Sequence, residues 1–183
     1  MKRSQVLLAV TLLATPAYAL AADPAPTGDS GPPPADVLTK LHQSNQMEIE
    51  AGKLAQEKGE SKAIKKYGKT LVSDHTAADK QVVALAKQLK VELPKEADMK
   101  HDSLDKAKAA SGAEFDKTFA EAMLDDHKKD VEEASEARDK TSNPKLKKLL
   151  AGLVPKLEKH REIAQKLVDG GGDAKPKEAS PAK

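Results

Sequence analysis

Apolar residues recur three and four apart through four long stretches of this chain. No segment shows the two-residue alternation of a half-buried strand. That periodicity predicts an all-α protein of four long helices. The first runs from about Ala35 to Lys58, before Gly59. The second runs from about Lys62 to Lys90, with Ser61 as N-cap and Ile64, Tyr67, Leu71, Val72, Val82, Leu85 and Leu89 on one face. The third opens after Ser111-Gly112, carries Phe115, Phe119, Met123, Leu124, Val131 and Ala134, and ends near Lys140. The fourth opens with Asn143-Pro144, an N-cap followed by proline at the first helical position. Pro155 lies inside it and is expected to kink it or to remove one backbone bond.

Connections of a few residues make the first and second helices, and the third and fourth, antiparallel hairpins. The segment Val91 to Ala110 between the hairpins is long, and a short helix is expected in it around Asp98 to Lys108. Two hairpins joined by one long crossover is the topology of a ferritin-like four-helix bundle. The expected domain spans 36–169 and is large enough for one hydrophobic core.

The ends read differently. Met1 to Ala22 has the form of a secretory signal: Lys2 and Arg3, an apolar run from Val6 to Ala14, and Ala17-Tyr18-Ala19 as a cleavage site. The run is too short to span a bilayer. Residues 23–35 form a Pro/Gly-rich leader expected to be disordered. Gly170-Gly171-Gly172 stops the last helix, and 170–183 is expected to be a disordered tail. An exported, periplasmic protein without stable membrane insertion is the expectation. The formal charge of +2 is that of Lys2 and Arg3, so the processed chain is near neutral and lacks the basic surplus of a nucleic-acid binder. The absence of cysteine excludes disulfides, thiolate ligands and thiol catalysis. Tyr67, Phe115 and Phe119 are the aromatics after the signal, too few for base or sugar stacking platforms.

His75, His127 and His160 each lie mid-way along a different helix, on its apolar face. Leu71 and Val72 precede the first, Met123 and Leu124 the second, Leu153 and Leu157 the third. The first helix has no histidine at that place. At about 100° per residue, Glu48 shares the face of Val37, Leu41 and Ala55, with Asn45 and Gly52 one turn either side, whereas Glu50 points away. Helix midpoints at about residues 47, 76, 126 and 157 put Glu48, His75 and His127 near one level, with His160 roughly 5 Å beyond at 1.5 Å per residue. One carboxylate and three imidazoles form a plausible ligand set for one transition-metal ion such as zinc, copper or iron, better than for calcium or magnesium. The same residues can equally form a buried hydrogen-bonded cluster that only specifies packing.

A di-iron carboxylate centre is disfavoured, because Val72, Leu124 and Leu157 stand where Glu-x-x-His would need ligands. Asp74, Asp126 and Glu158 are expected on other faces than their neighbouring histidines. Asp79 and Asp130 are expected to orient the histidines from behind. His42 and His101 are expected to be solvated, and the Lys/Glu runs to be solvated helix faces. No phosphate loop, Ser-His-Asp set or His-Glu-x-x-His motif occurs, so no catalytic residue is assigned.

With these residues placed, the chain resembles the bacterial exported domain-of-unknown-function family 4142. The resemblance is carried by Glu48-Ile49-Glu50-Ala51-Gly52-Lys53-Leu54-Ala55, Leu71-Val72-Ser73-Asp74-His75, Ser111-Gly112-Ala113-Glu114-Phe115-Asp116, Met123-Leu124-Asp125-Asp126-His127 and Leu153-Val154-Pro155-Lys156-Leu157-Glu158-Lys159-His160. It implies a ferritin-like bundle, makes Pro155 a shared trait, and brings no established activity. Two functions are carried forward. One is a non-enzymatic protein holding a metal ion or small ligand at Glu48, His75, His127 and His160. The other is a structural or interaction protein with an envelope partner.

Overall fold

The computed structural model describes residues 31–95 and 104–170. The signal, most of the leader, the tail from 171, and part of the crossover including His101 lie outside them. Five helices follow in order: α1 (Pro34–Lys58), α2 (Lys62–Leu89), α3 (Asp105–Ala109), α4 (Gly112–Lys140) and α5 (Pro144–Val168). Among the described residues there is no strand, and no helix is long and apolar enough to cross a membrane.

The helix limits follow local chemistry. α1 starts at Pro34, slightly earlier than expected, because proline fits a first-turn position whose N–H has no partner in any case. Ser61 caps α2 by accepting from the Ile64 N–H at 3.2 Å. Asn143 caps α5 by accepting from the N–H groups of Lys145 and Leu146 at 3.1 and 3.0 Å. α5 continues through Pro155. Ala151, Gly152 and Pro155 are all exposed, so the lost backbone bond lies on the solvent side. Past its end, Gly170 takes a positive φ of 80°, as the expected stop requires.

α1 pairs with α2 and α4 with α5 as tight hairpins, and α2·α5 and α1·α4 contacts close the bundle. Two apolar clusters fill it. One joins the start of α1 (Val37, Leu38), the end of α2 (Val82, Leu85) and the start of α5 (Leu146, Leu150). The other joins the end of α1 (Ala51, Ala55), the start of α2 (Tyr67, Leu71) and the start of α4 (Phe115, Phe119). α1 and α5 therefore run one way and α2 and α4 the other. The parallel α2/α4 pair needs a connection that travels the bundle's length, which the crossover supplies. The short helix in it is confirmed over Asp105–Ala109; the preceding residues 96–103 are not described. Lys108 of α3 pairs with Glu50 at 3.0 Å, consistent with the outward direction expected of that acid.

Two devices set the spacing of the first hairpin. Gly52 and Gly68 face each other so closely that a Cβ on either would lie 2.6 Å from the other's carbonyl oxygen. In addition, the Asp116 carboxylate of α4 accepts from the N–H groups of Glu60 and Ser61, both at 2.8 Å. This ties the α1–α2 turn to the start of α4 and occupies two donors near a helix start.

Candidate metal centre

Between the two apolar clusters lies a polar layer of Asn45, Glu48, His75, His127 and His160, all buried. Each long helix contributes to it. One ligand atom from each of Glu48, His75, His127 and His160 lies within 4.8 Å of the others. The four residues singled out by periodicity therefore meet. The close Gly52–Gly68 crossing, one turn beyond Glu48 and two turns before His75, lets α1 and α2 approach enough for Glu48 Oε2 to sit 2.6 Å from His75 Nε2. The same oxygen is 3.0 Å from His127 Nε2. His75 Nε2 is 3.2 Å from His160 Nδ1. The imidazole centroids are separated by 5.1, 5.3 and 5.7 Å.

The outer nitrogens decide where the inner lone pairs point. His127 Nδ1 is 2.8 Å from the Met123 carbonyl, which can only accept, so Nδ1 carries the proton. His160 Nε2 donates to the Asp74 carboxylate at 3.0 Å. His75 Nδ1 donates to Asn45 Oδ1 at 2.9 Å. In the neutral rings this leaves His75 Nε2, His127 Nε2 and His160 Nδ1 as acceptors, all turned toward Glu48. Acceptors cannot satisfy one another. Accordingly both Glu48 oxygens and His127 Nε2 are buried without a well-formed hydrogen bond, although Oε2 is within ion-pair distance of two rings. A cation or a proton must reconcile them.

The electrostatics agree. Burial opposes charge on Glu48, but His75 and His127 outweigh it and hold the carboxyl well below its ordinary range. Burial would lower His127, yet the Glu48 carboxylate prevails and raises it. Burial, assisted by His75, pushes His160 down to about 4, so this ring stays neutral. Burial and Glu48 also push Asp130 up to about 7. They raise the Tyr67 phenol too, and Tyr67 remains a donor, bonding the His160 carbonyl at 3.1 Å.

Several surrounding residues differ from expectation. Asp74 was expected to face elsewhere than His75. It does, and by doing so it reaches across to His160 from α2. Asp79 does not orient His75: it accepts from Gln46 at 2.7 Å and pairs with His42 at 2.6 Å. His42 is therefore not solvated but half-buried and engaged. Asp130 accepts from Ser44 Oγ at 2.5 Å, beside Glu48 instead of behind His127. Partners across helices leave no trace in one helix's periodicity. The one local signal was the repeated Asp-His dipeptide at Asp74-His75 and Asp126-His127.

The family model described as "Domain of unknown function (DUF4142)" matches residues 18–167. The chain belongs to the DUF4142 family. No curated protein matches it. Among solved structures this DUF4142 chain is similar to CopM in the apo form, at 19% identity and a TM-score of 0.63, over 75% of this chain and 96% of that one. It is likewise similar to CopM in the Ag-bound form at 20% identity, a TM-score of 0.63, and 75% and 96% coverage. The Cu(II)-bound form of CopM matches at 19% identity and a TM-score of 0.62, with 75% and 97% coverage. At these identities the likeness shows that the DUF4142 bundle shares a fold with CopM.

Proposed function

We propose that this DUF4142 protein is an exported, non-enzymatic helical bundle that holds one late divalent transition-metal ion, copper(II) before zinc, at Glu48, His75, His127 and His160. The observation that carries this reading is the directed lone pairs. Three imidazoles have their outer nitrogens engaged by Met123, Asp74 and Asn45, and their inner nitrogens converge on a buried carboxylate. Outer partners of this kind fix tautomer and ring direction at metal sites. Tetrahedral bonds of about 2.0–2.1 Å would set donor atoms roughly 3.4 Å apart. The contacts of 2.6, 3.0 and 3.2 Å and the 4.8 Å envelope bracket that spacing.

Imidazole and carboxylate suit copper(II) and zinc, and copper(II) binds such sites more tightly than other divalent ions of its row. The four donors are imidazole and carboxylate, which suit copper(II) better than the softer copper(I) and silver. A bundle of the same fold, CopM, has a Cu(II)-bound form. The leader-like Met1 to Ala22 supports export. Four protein donors in a closed set suit storage or buffering of the ion, not turnover.

The test is metal content of the processed protein after exposure to copper(II), zinc and iron(II) and then desalting, beside a His75→Ala/His127→Ala variant. Retention of about one copper ion per chain, lost in the variant, is expected. If the wild-type protein retains no metal, the reading fails and a proton shared with Glu48 is what reconciles the cluster.

A further inference from the structure

The donor set is enclosed, so an ion must have a way in, and two cavities lie on the side of α1 that faces α4. A groove of about 630 Å³ opens between the first half of α1 and the second half of α4. A second, smaller cavity of about 20 Å³, room for a single water or ion, lies against Asn45, Asp74, His75 and His160. The two share Leu41, Ser44 and Asp130 in their linings. The partition is polar: Ser44 Oγ donates to Asp130 Oδ2 across the α1/α4 seam. That seam is the least extensive of the four contacts that close the bundle. The groove's charges favour a cation. Lys40 pairs with Glu133 at 2.8 Å and Lys140 with Glu136. Asp36 then remains in the lining without an ion-pair partner among the described residues. On its α2/α5 side the small cavity is lined by Asp74, Leu153, Lys156 and Leu157.

We propose that the α1/α4 groove is the path by which a divalent metal ion reaches the buried site, with the Ser44–Asp130 hydrogen bond as its latch. This rests on the metal-binding reading above. A latch on a path lowers or raises the barrier for arrival and departure alike, and so changes both rates without changing their ratio.

The experiment is the rate of copper(II) uptake by the metal-free protein, stopped by a chelator at timed intervals, and the rate of loss from the loaded protein to the same chelator. Ser44→Ala removes the latch, and both rates are expected to rise roughly five- to ten-fold, the kinetic weight of one hydrogen bond. Ser44→Leu places a larger apolar side chain in the partition, and both rates are expected to fall by a similar factor with little change in affinity. A Lys156→Leu variant reports on the α2/α5 side and is expected to load at the wild-type rate. If Ser44→Ala loads and unloads as the wild type does, or if Lys156→Leu alone alters the rates, the path is overturned while the binding site stands. If the wild-type protein takes up no copper(II), both the path and the reading beneath it fail. Ser44→Ala keeps the question open to test should Ser44→Leu not fold.

Discussion

A histidine on an apolar helix face is ambiguous until its outer nitrogen is accounted for. In this protein Met123, Asp74 and Asn45 settle three rings. Asp74 is the informative one, being 39% exposed while the ring it holds is buried. Asp74→Asn can present its oxygen to the same N–H but loses the charge. Metal affinity is expected to fall roughly 10–100-fold with the fold retained, as a competitive chelator titration with circular dichroism would show. His160 also sets a pH limb for the metal-free protein. Its folded value of about 4 lies below the ordinary 6.5, so between those values the unfolded chain binds more protons and stability falls as pH falls. The loss is on the order of 3 kcal/mol from pH 6.5 to 4. Glu48, also depressed, adds its loss at the acidic end. Urea midpoints across this range check it, and the limb attributed to His160 is expected to vanish in His160→Asn. His127, being raised, acts on the other side, its contribution fading as pH rises above 6.5. Glu48, His75, His127 and His160 were legible in the sequence because each lies on the inward face of its own helix. Asp79 and His42 were misread because each finds its partner on the neighbouring helix.

Element by element, periodicity and caps were sufficient for α1, α2, α4 and α5, and the caps at Ser61 and Asn143 act as the sequence predicts. The close crossing of α1 and α2 was only half visible: Gly52 stood out beside Glu48, but Gly68 did not, since a glycine within a helix does not declare what approaches it. A Cβ at Gly68 meets the Gly52 carbonyl at 2.6 Å and the Ala55 side chain at 2.7 Å. Backbone cannot step aside as a flexible side chain can. Gly68→Ala is therefore expected to cost roughly 1–3 kcal/mol net, despite alanine's better helix propensity. Because it parts Glu48 from His75, it is also expected to weaken metal retention. Denaturant melts and metal content measured on one preparation test both effects.

The whole molecule is two apolar cores separated by a layer of charge and imidazole. The directions of the four helices were legible because two short turns and one long connection admit few arrangements. The access groove was not, since it arises where α1 and α4 fail to pack fully. A buried polar layer of this kind is a poor way to gain stability. Replacing Glu48, His75, His127 and His160 together by leucine is expected to leave the metal-free bundle at least as stable as wild type, whereas Glu48→Leu alone is expected to cost roughly 3 kcal/mol. Chemical denaturation distinguishes the cases. A large loss in the fourfold variant would make the layer structural, not functional.

Tyr67 has a further consequence. The chain has no tryptophan and two tyrosines, Tyr18 and Tyr67; under the export proposed above Tyr18 leaves with the leader, and Tyr67 is then the sole tyrosine. Its ring lies 6.5 Å from that of His127 and 6.4 Å from that of His160, centroid to centroid. Nearly all the light the processed protein emits under ultraviolet excitation thus comes from a ring beside the donor set. A paramagnetic copper(II) ion held there is expected to extinguish that emission, whereas filled-shell zinc leaves it bright. The molecule carries its own optical gauge of which ion it has taken up.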